Sequence, residues 1–139
     1  MKNFTLLVVM GLLMSCGLED ATPTVPVNDD FDDTSATLLS EGNWMGSGGY
    51  DVKGTAQIFE ERDRKVLLFT DFMSSNGPDL KVYLSTDMNA TSFINLGNLK
   101  STNGDQSYEI PEGTDLDSFK FALIWCERFS VLFGKAEKL

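Results

Sequence analysis

At 139 residues the chain is long enough for one folded domain with appendages, and a core of that size can remove about two thirds of the unfolded surface from water. Its 21 acidic residues against 11 basic ones leave a formal charge of -10, which argues against nucleic acid and anionic membrane surfaces as partners. No histidine occurs, so the commonest general base, the commonest metal ligand and the usual covalent-haem motif are all missing, and a non-enzymatic role is expected.

The chain opens with MKNFTLLVVMGLLMSC. Lys2 supplies a positive start, Phe4 to Met14 an apolar stretch too short to span as a mature helix, and Ser15 a small residue before Cys16. That order is an export signal. Leu13-Met14-Ser15-Cys16 resembles the bacterial lipobox, which implies that residues 1–15 are removed and that Cys16 is diacylated and becomes the N-terminus. The other reading is an ordinary signal peptide that happens to contain a cysteine. Two or three acyl chains anchor a protein stably where one does not. The expected location is therefore the bacterial cell envelope, extracytoplasmic, periplasmic or surface-exposed, with the membrane as a partner through the N-terminal lipid.

From Gly17 to about Ala36 the composition turns to Pro, Thr, Asp and Asn, with the acidic run NDDFDD at Asn28 to Asp33. Between Gly17 and Val52 there are eight acidic residues and no basic one. Such a segment predicts a lipidated N-terminus and an acidic, disordered tether over residues 16–36, holding a domain off the lipid surface. Asp29 to Asp33 lacks the glycine and distal glutamate of an EF-hand loop, which favours a solvated linker over a calcium site.

The domain proper is expected over residues 37–139. Trp44 stands among glycines, with Gly48-Gly49 reading as a tight turn and Gly54 as another. Thr55 to Phe59 and Lys65 to Phe69 read as a hairpin whose loop is the charged segment Glu60 to Arg64. Ser74 to Asp79, SSNGPD, is a loop signal. Leu80, Val82 and Leu84 alternate with Lys81, Tyr83 and Ser85 as a strand with one dry face. Phe93 to Leu99 is a short strand or strand pair, Ser101 to Gln106 a polar turn, and Tyr108 and Ile110 belong to a strand ended by Pro111.

The densest apolar run after the signal is FKFALIWCERFSVLFG, Phe119 to Gly134. Alternation puts Phe119, Phe121, Leu123 and Trp125 on one face and Lys120, Ala122, Ile124 and Cys126 on the other, a strand covered on both sides. Glu127-Arg128 interrupts it, and Phe129, Val131 and Phe133 form a second strand that stops at Gly134. Seven or eight strands about ten residues apart, without a helical period, predict an all-β domain, an antiparallel β-sandwich or flattened β-barrel.

Three stretches, DFMSSNGPDLKVYLS (Asp71 to Ser85), LGNLKSTNGDQSYEIP (Leu96 to Pro111) and LIWCERFSVLFG (Leu123 to Gly134), resemble in that order the DM-thirteen domain, a small extracytoplasmic family. The resemblance covers roughly the last hundred residues, a usual size for a small domain. It implies a part in electron transfer centred on one cysteine.

Each candidate for chemistry has a plain structural counterpart. Cys126, beside Trp125 and Arg128, reads either as a redox or cofactor-binding thiol, holding haem or a soft metal, or as a buried small hydrophobe. The charged pair after it predicts a sulfur near the barrel edge and only partly sheltered. No resolving cysteine accompanies it, so disulfide enzymology is excluded, and a redox or envelope protein partner is expected. Asp71, Asn76 and Asp79 are weak oxygen ligands for a metal, set against ordinary turn chemistry. Trp44, Trp125, Tyr50, Tyr83 and Tyr108 offer a stacking pocket or a path for electrons, or simply fill a core. Two functions are expected from this set: a redox-linked module, or a non-redox binding or adhesion module of a cell-envelope complex.

Overall fold

The computed structural model describes residues 21–137 and Leu139. The signal segment and Cys16 lie outside the described residues, so the lipid anchor has no structural account. Among the described residues nine strands follow one another: β1 (Val27–Asn28), β2 (Thr37–Gly46), β3 (Val52–Glu61), β4 (Arg64–Ser74), β5 (Leu80–Ser85), β6 (Phe93–Asn98), β7 (Gly104–Ile110), β8 (Phe121–Cys126) and β9 (Val131–Glu137). They form one sheet in the order β1-β7-β4-β3-β2-β9-β8-β5-β6, curled into a half-barrel. Every neighbouring pair is antiparallel except β1 with β7.

Period-two alternation explains which side is buried. Ala56 and Ile58 of β3, Leu67 and Phe69 of β4, Val82 and Leu84 of β5, and Ala122, Ile124 and Cys126 of β8 all belong to one core cluster inside the curl. The curl follows from connectivity. Residues 99–103 carry the chain from the outermost strand β6 to β7 near the opposite edge, and a link of that length spans at most roughly 20 Å. A flat sheet of this order would place those strands too far apart.

The expected all-β class holds, with nine strands among the described residues in place of the seven or eight expected; β1 and β2 are the additions, since residues 37–46 carry no apolar alternation. Local details differ. The β3–β4 turn is only Arg62-Asp63, with Arg62 at φ 56°, because the flanking charges join the strands and pair across them, Lys65 with Glu60 at 3.3 Å and Arg64 with Glu61 at 3.4 Å. Gly54 is no turn: it sits in β3 at φ +111°, where the register slips between Lys53 and Thr55 and a Cβ would lie 2.7 Å from the carbonyls of Thr70 and Asp71. Gln106 leaves the polar turn to become a wholly buried strand residue, its amide satisfied by Ser101 and Gly104 carbonyls. The final strand runs through Gly134 to Glu137.

The largest difference concerns the acidic segment. Over residues 21–36 it is a strap laced across the seam of the half-barrel, so the folded unit begins no later than Ala21 and not at Thr37. Thr22 is buried, its carbonyl accepting from Asn76 Nδ2 at 3.2 Å. Thr102 N–H donates to Pro23 O at 2.9 Å and Ser101 Oγ to Val25 O at 2.7 Å. Val27 N–H donates to Asn103 O at 3.0 Å and Asp29 N–H to Asp105 O at 2.9 Å, which makes β1. The Asp29 carboxylate accepts from Ser107 N–H at 2.9 Å and pairs with Lys100, and Phe31 packs on Phe59 with ring centroids 5.5 Å apart. Gly104 permits the approach: at φ +101° a Cβ would stand 1.9 Å from Val27 O.

Candidate functional site

Strand β8 carries the sequence's principal candidate, and its alternation sends adjacent side chains to opposite faces. Cys126 points inward, wholly buried, with its Sγ donating to Pro78 O at 3.0 Å. Leu80 and Val131 lie opposite it in the ladder. The sulfur is thus at the end of the strand, as expected, but enclosed instead of partly sheltered, because the SNGPD loop folds over it through Pro78. Trp125 faces the outside and Arg128 is exposed in the turn after β8, so the trio Cys126, Trp125 and Arg128 does not converge. A haem or a soft metal does not fit at this thiol. It is packed in an apolar cluster, and no group of three histidine, cysteine or acidic side chains able to hold a metal occurs among the described residues.

The three oxygen candidates have different bonding partners, for Asp71 through its backbone N–H alone. Asp71 is at φ 50° in β4, and its N–H donates to Asp105 Oδ1 at 2.9 Å. Asn76 Oδ1 accepts from the adjacent Gly77 N–H at 2.8 Å, and its Nδ2 donates to Thr22 O. Asp79, at φ 57°, pairs with Lys81 at 2.8 Å. Asp71 is an irregular residue within β4, and Asn76 and Asp79 belong to the loop before β5.

The aromatic residues divide into two sets. Inside, Trp44 lies edge-on to Phe69 at 4.9 Å and to Phe72 at 5.7 Å, and Phe69 reaches Tyr108 at 5.1 Å. Trp44 Nε1 has no hydrogen-bond partner among the described residues and sits in this ring cluster. The Tyr108 hydroxyl donates to Gln106 Oε1 at 2.6 Å, and burial above all holds its pKa above the ordinary phenol value. Tyr50 stacks on Phe133 at 3.7 Å. These rings fill the core and its rim.

Outside, Phe93, Tyr83 and Trp125 make a row across β6, β5 and β8. Phe93 stacks on Tyr83 at 4.2 Å with planes 15° apart, and Trp125 lies beyond at 6.2 Å and 23°. Diagonal cross-strand neighbours are within reach of such large side chains, which is why these three meet. The Tyr83 hydroxyl donates to Glu127 Oε2 at 2.8 Å. Burial first, then the Glu127 carboxylate and Asp79, raises the Tyr83 pKa, so the phenol keeps its proton at neutral pH. The row borders an open depression of about 580 Å³, where Asn89, Asn95 and Glu127 supply polar groups. Ala90 and Ser130 stand on its rims at φ 53° and 51°, a left-handed conformation that costs a non-glycine residue roughly 1–2 kcal/mol. Sequence reasoning singled out Tyr83 and Trp125 but missed Phe93, Asn89, Asn95 and Glu127. The one available signal was the alternation of Phe93 with Asn95 on a strand next to Tyr83.

No curated protein and no solved structure matches the chain. The family described as Electron transfer DM13 matches residues 45–137, about two thirds of the sequence, from β2 to the end of β9, and takes in Cys126 and the outer aromatic row. The chain belongs to the electron transfer DM13 family.

Proposed function

We propose that the protein is a non-enzymatic electron-transfer module of the bacterial cell envelope, anchored through lipid on Cys16 and exchanging electrons with a redox protein partner. The observation that carries this reading is the family match over residues 45–137, in which Cys126 is the one cysteine of the folded unit. The lipobox-like Leu13-Met14-Ser15-Cys16 supports the anchor, and Cys16→Ala should then release the chain from the membrane fraction with its fold intact. Voltammetry on the purified full chain tests the redox role. A titratable step that disappears in Cys126→Ser supports it, and a redox-inert protein removes it.

A second reading, a binding or adhesion module with a structural cysteine, is favoured by one specific observation. Cys126 is wholly buried and its thiol is bonded to Pro78 O, as a core-filling cysteine would be.

A further inference from the structure

We propose that the outer depression between Phe93 and Trp125 binds sugar rings of a neutral oligosaccharide. The lining decides the ligand class. It carries the Glu127 carboxylate and no cation, and Lys81, opposite Trp125 in the ladder, is already paired with Asp79 and bonded to Asn98, which disfavours a phosphate or carboxylate ligand. Phe93 is stacked face on face with Tyr83 and Trp125 lies nearly parallel beyond, so the free faces are those of the two end rings and none turns toward a common point, as a cage for a quaternary ammonium needs. A molecule with an apolar face and hydroxyls around its rim matches what is left. Phe93 is 46% exposed and Trp125 half-buried, so ring surface faces solvent at both ends of the row. Asn89 is exposed and brings an amide to one side, and Glu127 and Ser130 bring a carboxylate and a hydroxyl to the other. Tyr83 is fixed between them by its stacking and by the Glu127 bond, which spares the site the ordering of that ring on binding. The depression, at about 580 Å³, is within the size range of small-molecule sites. Two left-handed non-glycine residues on its rims, Ala90 and Ser130, fit a surface shaped for a ligand, since such strain gathers at functional positions. The assignment rests on neither Cys126 nor electron transfer and gives the binding reading a ligand class.

The test uses the full chain and intrinsic fluorescence, because Trp44 is only 4% exposed and Trp125 is the tryptophan open to a ligand. Cellohexaose, laminarihexaose and N-acetylchitohexaose are the probes, with choline and inorganic phosphate beside them. At least one hexasaccharide should change the emission saturably. Calorimetric affinity should fall about tenfold in Trp125→Ala and in Phe93→Ala and roughly threefold in Asn89→Ala. Trp125→Phe keeps a ring face and should bind nearly as the parent does, which separates loss of stacking from loss of fold. The proposal is overturned if no hexasaccharide binds, if binding is unchanged in both alanine variants, or if choline or phosphate takes the site in their place.

Discussion

The β8–β9 hairpin and the N-terminal strap are held to the same half-barrel by opposite means. The hairpin buries Ala122, Ile124, Cys126, Phe133 and Ala136 in the core cluster. The strap buries Thr22 and otherwise lies along the surface, tied by backbone hydrogen bonds to residues 101–105 and by the carboxylate of Asp29. One is fixed by apolar area removed from water, the other by polar groups that would be equally content with water. A net hydrogen bond contributes about 0.5–1.5 kcal/mol, against 1.5–3 kcal/mol for burying one large aliphatic side chain. The hairpin should therefore govern stability and the strap should govern only its own attachment.

Perturbing both regions makes the difference measurable. The largest effect is expected for Ile124→Ala, which leaves a cavity at a wholly buried position and should cost about 2–5 kcal/mol in chemical denaturation. Cys126→Ser comes next, at roughly 1–3 kcal/mol, since the hydroxyl is placed in apolar surroundings with Pro78 O as its one partner. In the parent, the Cys126 thiol should react with a maleimide only as fast as the domain opens; fast labelling under native conditions would contradict the enclosure.

Asp29→Asn should cost about 1 kcal/mol or less, and hydrogen exchange should report the loss at the amides of Val27 and Asp29, not in β8. Burial tends to raise the Asp29 pKa, but the bonds from Lys100 and from Ser107 outweigh it and hold the carboxyl below its ordinary 3.8. Its contribution is therefore complete above that value and lost as the pH falls through the lower, folded one. The strap amides should lose protection on acidification in the parent, and Asp29→Asn should remove that pH dependence. The smallest effect belongs to Phe129→Ser, inside the hairpin but 64% exposed, where the midpoint should stay within about 0.5 kcal/mol of the parent.

The same contrast explains what the sequence could reveal. The hairpin was legible because Phe121 to Cys126 and Val131 to Phe133 announce themselves by apolar alternation, a signal that burial itself creates. The strap was not, because its attachment uses main-chain groups every residue possesses, and an acidic composition rich in proline reads as chain that cannot bury a core. Gly104, which admits the strap, looked like part of a polar turn. The candidate site shows the same divide. Cys126 was visible as a rare residue type, but its enclosure depends on Pro78, far away in sequence, folding over the end of β8. The outer row needed the cross-strand register of β5 with β6 and β8, which no local pattern contains.

The placement of β1 also bears on how copies of this protein meet. Were the strap absent, β7 would be the outermost strand, with its neighbour Asn103 O, its Asp105 O and its Ser107 N–H turned to solvent as a template for a strand of another molecule. Two residues of parallel ladder and one carboxylate occupy those groups, and the exposed Asp30, Asp32 and Asp33 that follow set negative charge where a second acidic molecule would have to approach. Trimming the chain to Thr37 would thus be felt less as lost stability than as a tendency of the molecules to join edge to edge.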